Sequence, residues 1–495
     1  MRLLLACVVA TLSGFIALSY EILGVRVYTF ATESPPEAFG LLLAAYLIGL
    51  AVGALAAGQY CRRATSGHLR QLQVAGGVFV LANVLALLVI PGTARLVSTL
   101  GLGQNWFGIS PHSTLPLFAL AAAGLGVGFP LLSHFAIPAD QHAGSRLSYL
   151  YVGNIIGSTL GSLATGLWLL DVMSLPHLNA ALAIAGSLLG LALIFAASTT
   201  TRARVLTVTA GVVVTGLIAW LSPFLHDSLY ERLMYKRDFA PGLRFAKTIE
   251  GRSGVVNLTW DGVVYGGGSY DGQTNISPMP QLDQNRVLRA YLVPAFHPHP
   301  EEILMIGLGA GSWLQVLANL DEVKHITVVE INPGYVEIQR HIPCLASALS
   351  NPKVEIIIDD GRRYLGRTTK KFDLIIQNTI VYWRAHAANL LSREYFALSR
   401  KHLKPEGMLY FNSTYSAAAQ KTGASTFPYA MRYQNMILGS EHPSASTPRA
   451  SSASSTPGPS TDIECCPLKR RRRNSISCGN GSGAKSRRGR LANPS

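Results

Sequence analysis

Seven apolar segments crowd into the first 225 residues, and they constrain the fold more than anything else in the chain. They run near Leu3–Leu23, Ala38–Tyr60, Gln73–Ile90, Thr114–Pro138, Leu147–Leu170, Leu178–Ala197 and Val205–Leu225. Each has the length, about 18–25 residues, at which a helix crosses a bilayer. A cleaved leader is the competing reading of the first segment. Glu21 inside it and the absence of a small-residue cleavage site argue against that. Residues 1–225 therefore read as a multispanning helical domain whose partner is the lipid bilayer. Gly153, Gly157 and Gly161 fall on one face of the fifth segment, and Gly49 and Gly53 on one face of the second, the spacing of closely packed helices. Glu21 and Asn154 are polar groups at bilayer depth, where an acid is costly. A functional site and an interhelical hydrogen bond are equally good readings of Glu21.

Charge is concentrated elsewhere. The formal net charge is +15, and ten Lys or Arg against two acids between His442 and Ser495 contribute +8 of it. That stretch is rich in Ser, Pro, Gly and Arg and lacks hydrophobic periodicity, so 442–495 reads as a disordered basic tail. The location of the charge, outside any folded surface, gives no reason to expect a specific nucleic-acid partner. The six cysteines lack the paired spacing of a zinc site, and no metal is expected.

Between these regions the pattern changes. After a connector, His226 to Arg237, residues 239–290 read as a small β-rich lobe. Its hairpin runs from Val255 to Trp260, turns at Asp261-Gly262 and returns through Val263 to Tyr265. Residues 291–438 alternate strands and helices. Strands are expected at Ile303–Ile306, Ile326–Val329, Val354–Ile358, Leu374–Gln377 and Met408–Asn412, with a helix between Ser392 and His402. This is the pattern of an α/β domain, a Rossmann-like doubly wound sheet. The first strand enters a glycine turn, Gly307-Leu308-Gly309-Ala310-Gly311, and the second ends on Glu330, 23 positions after Gly307. A carboxylate at that distance accepts hydrogen bonds from ribose hydroxyls. The third glycine departs from the dinucleotide spacing, which favours an S-adenosyl compound over NAD.

At these residues the chain resembles the spermidine synthase family, in the branch where a multispanning membrane region precedes the synthase domain. In the membrane half the resemblance rests on Ser13-Gly14-Phe15 with Tyr20-Glu21, and on Tyr151-Val152-Gly153-Asn154 with Gly157. In the soluble half it rests on Leu258 to Val264, the glycine turn, Val329-Glu330-Ile331, Asp359-Asp360-Gly361-Arg362 and Phe372 to Ile376. The resemblance implies transfer of an aminopropyl group from decarboxylated S-adenosylmethionine to a diamine. It also implies small-molecule donor and acceptor partners, and is consistent with a homo-oligomer formed through the soluble domain. S-adenosylmethionine itself is the other candidate co-substrate.

By the same resemblance, Gly307, Gly309, Gly311, Glu330, Asp360 and Gly361 bind the donor. Glu330 is the ribose acid, and Asp360 with Gly361 reads the adenine edge, although Asp360 also suits a helix cap. The acids that grip the amines are missing. Ala310 replaces the acid of the glycine turn, Asn378 the general base, Val381 a second acid, Val287 a donor-binding Glu and Tyr265 a glutamine. Burying an ammonium without a counter-charge costs several kcal/mol, so ordinary diamine chemistry is not expected. Tyr382, His386, Tyr270 and Asp271 are the nearby candidates for replacement chemistry. Two functions compete: a membrane-tethered transferase, and a nucleoside-binding membrane sensor or transporter-like protein without turnover.

Topology pulls two ways. Seven spans put Arg2, Arg62, Arg63, Arg70, Arg146, Arg202 and Arg204 on one side. The other side holds Arg26, Arg95, Arg232, Lys236 and Arg237. The positive-inside rule weakly favours an external soluble domain. A cytosolic adenosyl donor argues for the opposite and outweighs a bias of seven to five, so the soluble domain is expected in the cytosol.

Overall fold

The computed structural model describes residues 2–63, 68–100, 111–283, 285–378, 384 and 387–443. The basic tail from 444 onward, and with it Val381, Tyr382 and His386, lies outside the described residues. Among the described residues, seven helical segments are long and apolar enough to cross a membrane, from Leu3–Ala31 to Thr201–Asp238. The first runs past its apolar core to Ala31 and stops where Glu33 and Ser34 take left-handed φ values of 64° and 62°, just before Pro35. The fourth is two helices, Leu115–Gly126 and Gly128–Ala136, broken at Val127 between two glycines. The fifth, Ala143–Ala164, continues through a π-turn at Thr165–Leu169 into Leu170–Val172.

The small-residue seams hold the helices in contact. A Cβ on Gly157 would lie 1.8 Å from the carbonyl oxygen of Thr11 on the first helix. One on Gly53 would lie 1.9 Å from the carbonyl oxygen of Ala123. No side chain fits either place, so backbones touch where the glycine spacing led one to expect it. Large apolar side chains such as Ile48, Leu55, Leu81, Ile155 and Trp220 are exposed on the outward faces of these helices. Glu21 is buried on the first helix, and Asn154 abuts Gly14 across the seam.

Two sheets follow. The first is antiparallel, in the order β1 (Lys247–Gly251), β2 (Gly254–Leu258), β3 (Val263–Gly266) and β4 (Ser269–Gln273). It lies between the helical half and the second sheet. Adjacent strand residues point to opposite faces. Val255 accordingly packs among Leu175, Leu229 and Phe245, while Val256 and Leu258 join the α/β core.

The second sheet comprises β5 (Glu302–Ile306), β6 (His325–Glu330), β7 (Val354–Ile358), β8 (Phe372–Gln377), β9 (Leu403–Asn412), β10 (Tyr429–Tyr433) and β11 (Met436–Ser440). Its order is β10-β11-β9-β8-β5-β6-β7, parallel from β9 to β7, with the β10–β11 hairpin antiparallel at one edge. Both faces are covered. Ile303 and Met305 of β5 pack on one side with Leu314 and Leu317, and Leu304 and Ile306 on the other with Phe372 and Phe396. Full burial of each such side chain is worth about 1.5–3 kcal/mol. The predicted strands are present within a few residues. The hairpin of β10 and β11 was not foreseen. The helix Arg393–Lys401 begins where Ser392 accepts from the Tyr395 N–H.

Candidate functional site

The strand order creates the site. From β5 the chain moves outward through β6 and β7, then returns to place β8 on the other side of β5. Loops leaving the carboxyl ends of β5 and β8 diverge, and the crevice between them is where doubly wound sheets bind ligands. A cavity of about 1010 Å³ occupies that crevice. The glycine turn, Glu330, Asp360, Asn378 and Asn412 line it, each at or just beyond a strand end. The far wall belongs to the helical half: Ile22, Val25, Arg26, Thr29 and Phe30 of the first helix, with Gly166 of the π-turn. Arg26 donates to the Arg252 carbonyl at 2.9 Å, tying that helix to the β1–β2 turn.

Glu330 is 3% exposed. Its Oε2 accepts from the Leu308 N–H at 2.7 Å and its Oε1 from the Asn332 N–H at 2.8 Å. These bonds clamp the acid against the glycine turn and leave lone pairs for further donors. Burial pushes its carboxyl up to about 7, against the pull of the two backbone N–H groups. Gly307 and Gly311 have φ of 86° and 84°, the left-handed region that glycine adopts without strain. A Cβ on Gly307 would meet no atom, so the turn leaves open space above it. Gly361 follows Asp360 closely under Ile306, where a Cβ would lie 2.5 Å away. Asp360 is exposed at the cavity edge. Its Oδ1 caps the Gly361–Leu365 helix through the Arg363 N–H at 2.9 Å. The cap and the cavity-edge position therefore coexist.

Asp271 is placed differently from the free carboxylate that the sequence offered. It is 8% exposed, Arg384 Nη1 donates to both its oxygens at 2.9 Å, and the Tyr335 hydroxyl donates to Oδ2. Arg384 Nη2 also donates to the Gly266 carbonyl at 2.8 Å. The Asp271 charge is matched inside the protein. Tyr270 lines the cavity, and burial raises its phenol, which keeps it neutral.

Asn378 ends a chain of side-chain hydrogen bonds. Asn412 Nδ2 donates to Asn378 Oδ1 at 2.9 Å, Asn435 Nδ2 to Asn412 Oδ1 at 2.8 Å, and Arg289 Nη1 to Asn435 Oδ1 at 2.8 Å. A guanidinium only donates, so it sets the direction of every amide in the chain. Asn412 Oδ1 also accepts from the Thr414 N–H, which fixes the same orientation independently. Asn378 is left presenting its NH₂ group. Ala310 is buried against Gly272, whose added Cβ would lie 3.0 Å from the Ala310 Cβ, and Val287 lies wholly in the apolar core.

Residues 290–435 match the family described as the spermine/spermidine synthase domain. That part of the chain is similar to a spermine/spermidine synthase domain. A polyamine aminopropyltransferase of Streptococcus uberis is 30% identical over 153 residues, 29% of this chain and 53% of that one. Another, from Pyrobaculum calidifontis, is 31% identical over 170 residues, 30% of this chain and 58% of that one. The chain spans about half the length of the curated relatives it matches. A crystal structure of spermidine synthase from Thermotoga maritima aligns at 18% identity with a TM-score of 0.34, covering 40% of this chain and 73% of that one.

Within the synthase domain and its surroundings, the sequence reading missed the arginines. Arg26, Arg252, Arg286, Arg289, Arg362 and Arg384 line the cavity, against Asp271, Glu330, Asp359 and Asp360. Six cations against four acids leave the described wall cationic. One signal was available. Arg289 is a lone cation in the apolar run Val287 to Phe296, and a charge there needs a reason.

Proposed function

We propose that the chain is a membrane-anchored transferase of the spermidine synthase type. It binds an S-adenosyl sulfonium donor in the shared cavity and transfers an alkyl group, of the aminopropyl type, to an acceptor other than a plain diamine. The observation that carries this reading is Glu330, a buried acid clamped to the glycine turn at a strand end, with open space above Gly307. Its remaining lone pairs suit ribose hydroxyls, and Asp360 suits the adenine edge. Ala310, Val287 and Asn378, with Asp271 neutralised by Arg384, are the reason to exclude a diamine. The seven apolar helices support the anchoring, with the synthase domain on the cytosolic side where the donor is made.

The chemistry asks little of the protein beyond positioning. The acceptor's lone pair forms a bond to a carbon on the sulfonium. The carbon–sulfur pair goes to sulfur, which leaves as a neutral thioether, and the acceptor's proton passes to solvent. A neutral acceptor needs no carboxylate for this.

A second reading, a nucleoside-binding membrane sensor without turnover, is favoured by one observation: the first helix lines the same cavity as the nucleoside residues. Glu21 and Asn154 do not line that cavity, which removes the support they would have lent it. Purified full-length protein given a sulfonium donor decides between the two. Release of a thioether, S-adenosylhomocysteine or methylthioadenosine, is expected of the transferase. Calorimetric binding with no thioether release would leave the sensor.

A further inference from the structure

Arg289 is 5% exposed, yet its three hydrogen-bonding nitrogens meet only neutral acceptors. Nη1 donates to Asn435 Oδ1 at 2.8 Å, Nε to the Arg286 carbonyl at 3.0 Å and Nη2 to the Asn285 carbonyl at 3.2 Å. The Trp313 ring lies 5.4 Å from the guanidinium carbon. Asp283, close in sequence, turns its carboxylate onto the N–H groups of Val287 and Leu288 instead. Arg286 reaches the cavity from the same short segment, and among the described residues its side chain donates to the Tyr415 hydroxyl and lies over the Tyr415 ring. Neither arginine has an ion-pair partner among the described residues. A guanidinium buried without a counter-charge is costly, and a ligand that supplies the charge relieves the cost. Two of the five N–H donors of Arg289 remain for such a ligand.

Asn378 completes the arrangement. The hydrogen-bond chain that starts at Arg289 takes up its Oδ1, so on this cavity wall Asn378 has its NH₂ group left to donate. The corner also adjoins the donor's own path. Trp313 under Arg289 is two residues past Gly311, and a ligand whose ribose sits at Glu330 must run along the glycine turn to reach it.

We infer that Arg286, Arg289 and Asn378 form a carboxylate subsite, and that it takes the α-carboxylate of an undecarboxylated S-adenosyl donor. The inference rests on the nucleoside reading of Glu330 and deepens it. Decarboxylation would remove the anion and leave only the ammonium facing two arginines.

The test is calorimetry on the full chain in detergent with three probes. S-adenosylmethionine carries the carboxylate, decarboxylated S-adenosylmethionine keeps the same sulfonium and lacks only that group, and methylthioadenosine lacks the whole amino-acid tail. S-adenosylmethionine is expected to bind at least tenfold more tightly than the decarboxylated donor. Arg289→Met, and separately the exposed Arg286→Met, should shrink that ratio to within about threefold while methylthioadenosine binding stays unchanged. Equal or tighter binding of the decarboxylated donor overturns the inference. So does a ratio that survives both substitutions. Loss of methylthioadenosine binding in the unmodified protein would instead overturn the nucleoside reading beneath it.

Discussion

Arg384 Nη1 stands 2.9 Å from both carboxylate oxygens of Asp271, across 113 positions of sequence, and this pair neutralises a carboxylate on the cavity wall. Removing one partner of a buried pair leaves an uncompensated charge, at a cost of about 3–5 kcal/mol. Arg384→Met should therefore lower thermal stability markedly. Combining it with Asp271→Asn should recover most of the loss, and the double-mutant cycle in thermal denaturation checks the coupling. Additive losses would mean the pair contributes nothing beyond its separate contacts.

On the proposed reading, Glu330 makes nucleoside binding depend on pH. Its carboxyl titrates near 7 in the folded protein against an ordinary 4.5, so between those values the native state holds a proton that the unfolded chain has released. Its effect on the stability of the ligand-free protein therefore falls as pH rises across that window. Ribose hydroxyls donate to the ionised form, so affinity for methylthioadenosine should rise with pH, by at most about tenfold per unit, and level off above about 7. Glu330→Gln should flatten the profile. An unaltered profile in that variant would assign the titration to another group.

Glu330→Ala should weaken binding of the same ligand by roughly 1–3 kcal/mol, the scale of a lost charged hydrogen-bond partner. Unchanged calorimetric affinity would remove Glu330 from the site.

Gly157 offers a test of the helical half. A Cβ there would lie 1.8 Å from the Thr11 carbonyl oxygen, a backbone atom that cannot swing aside. Gly157→Val should separate the first and fifth apolar helical segments and lower the melting temperature. Gly144→Val, where an added Cβ meets no atom, should leave it unchanged.

What could be read from the sequence follows from what is local. Apolar runs mark the helices, period-two and buried runs mark β2, β3 and β5 to β9, and a glycine turn followed by Glu330 marks the nucleoside corner. Each depends on residues within about one supersecondary unit. The decisive features of the acceptor side are not local. Arg289 meets Asn435 across 146 positions, and Arg26 reaches the Arg252 carbonyl across 226. Asn378 could be read from the resemblance as standing where a base is expected, but not as a donor whose direction is set three hydrogen bonds away. Asp271 looked free because Arg384 lies in a segment with no periodic signal. The β10–β11 hairpin escaped because Gln434 and Asn435 were not read as its turn; Gln434 has φ of 55°.

On the proposed reading, the corner around Asn378 is a hydrogen-bond donor with no unpaired carboxylate among the described residues. The most direct test of that reading is aminopropyl transfer by the unmodified full-length protein supplied with decarboxylated S-adenosylmethionine and putrescine. Spermidine formation should be negligible, while calorimetry on the same preparation shows methylthioadenosine bound. Spermidine formed at the rate of a polyamine aminopropyltransferase assayed alongside would contradict the account, because it would require a carboxylate to hold the diamine where Arg384 now neutralises Asp271 and Asn378 presents its NH₂ group.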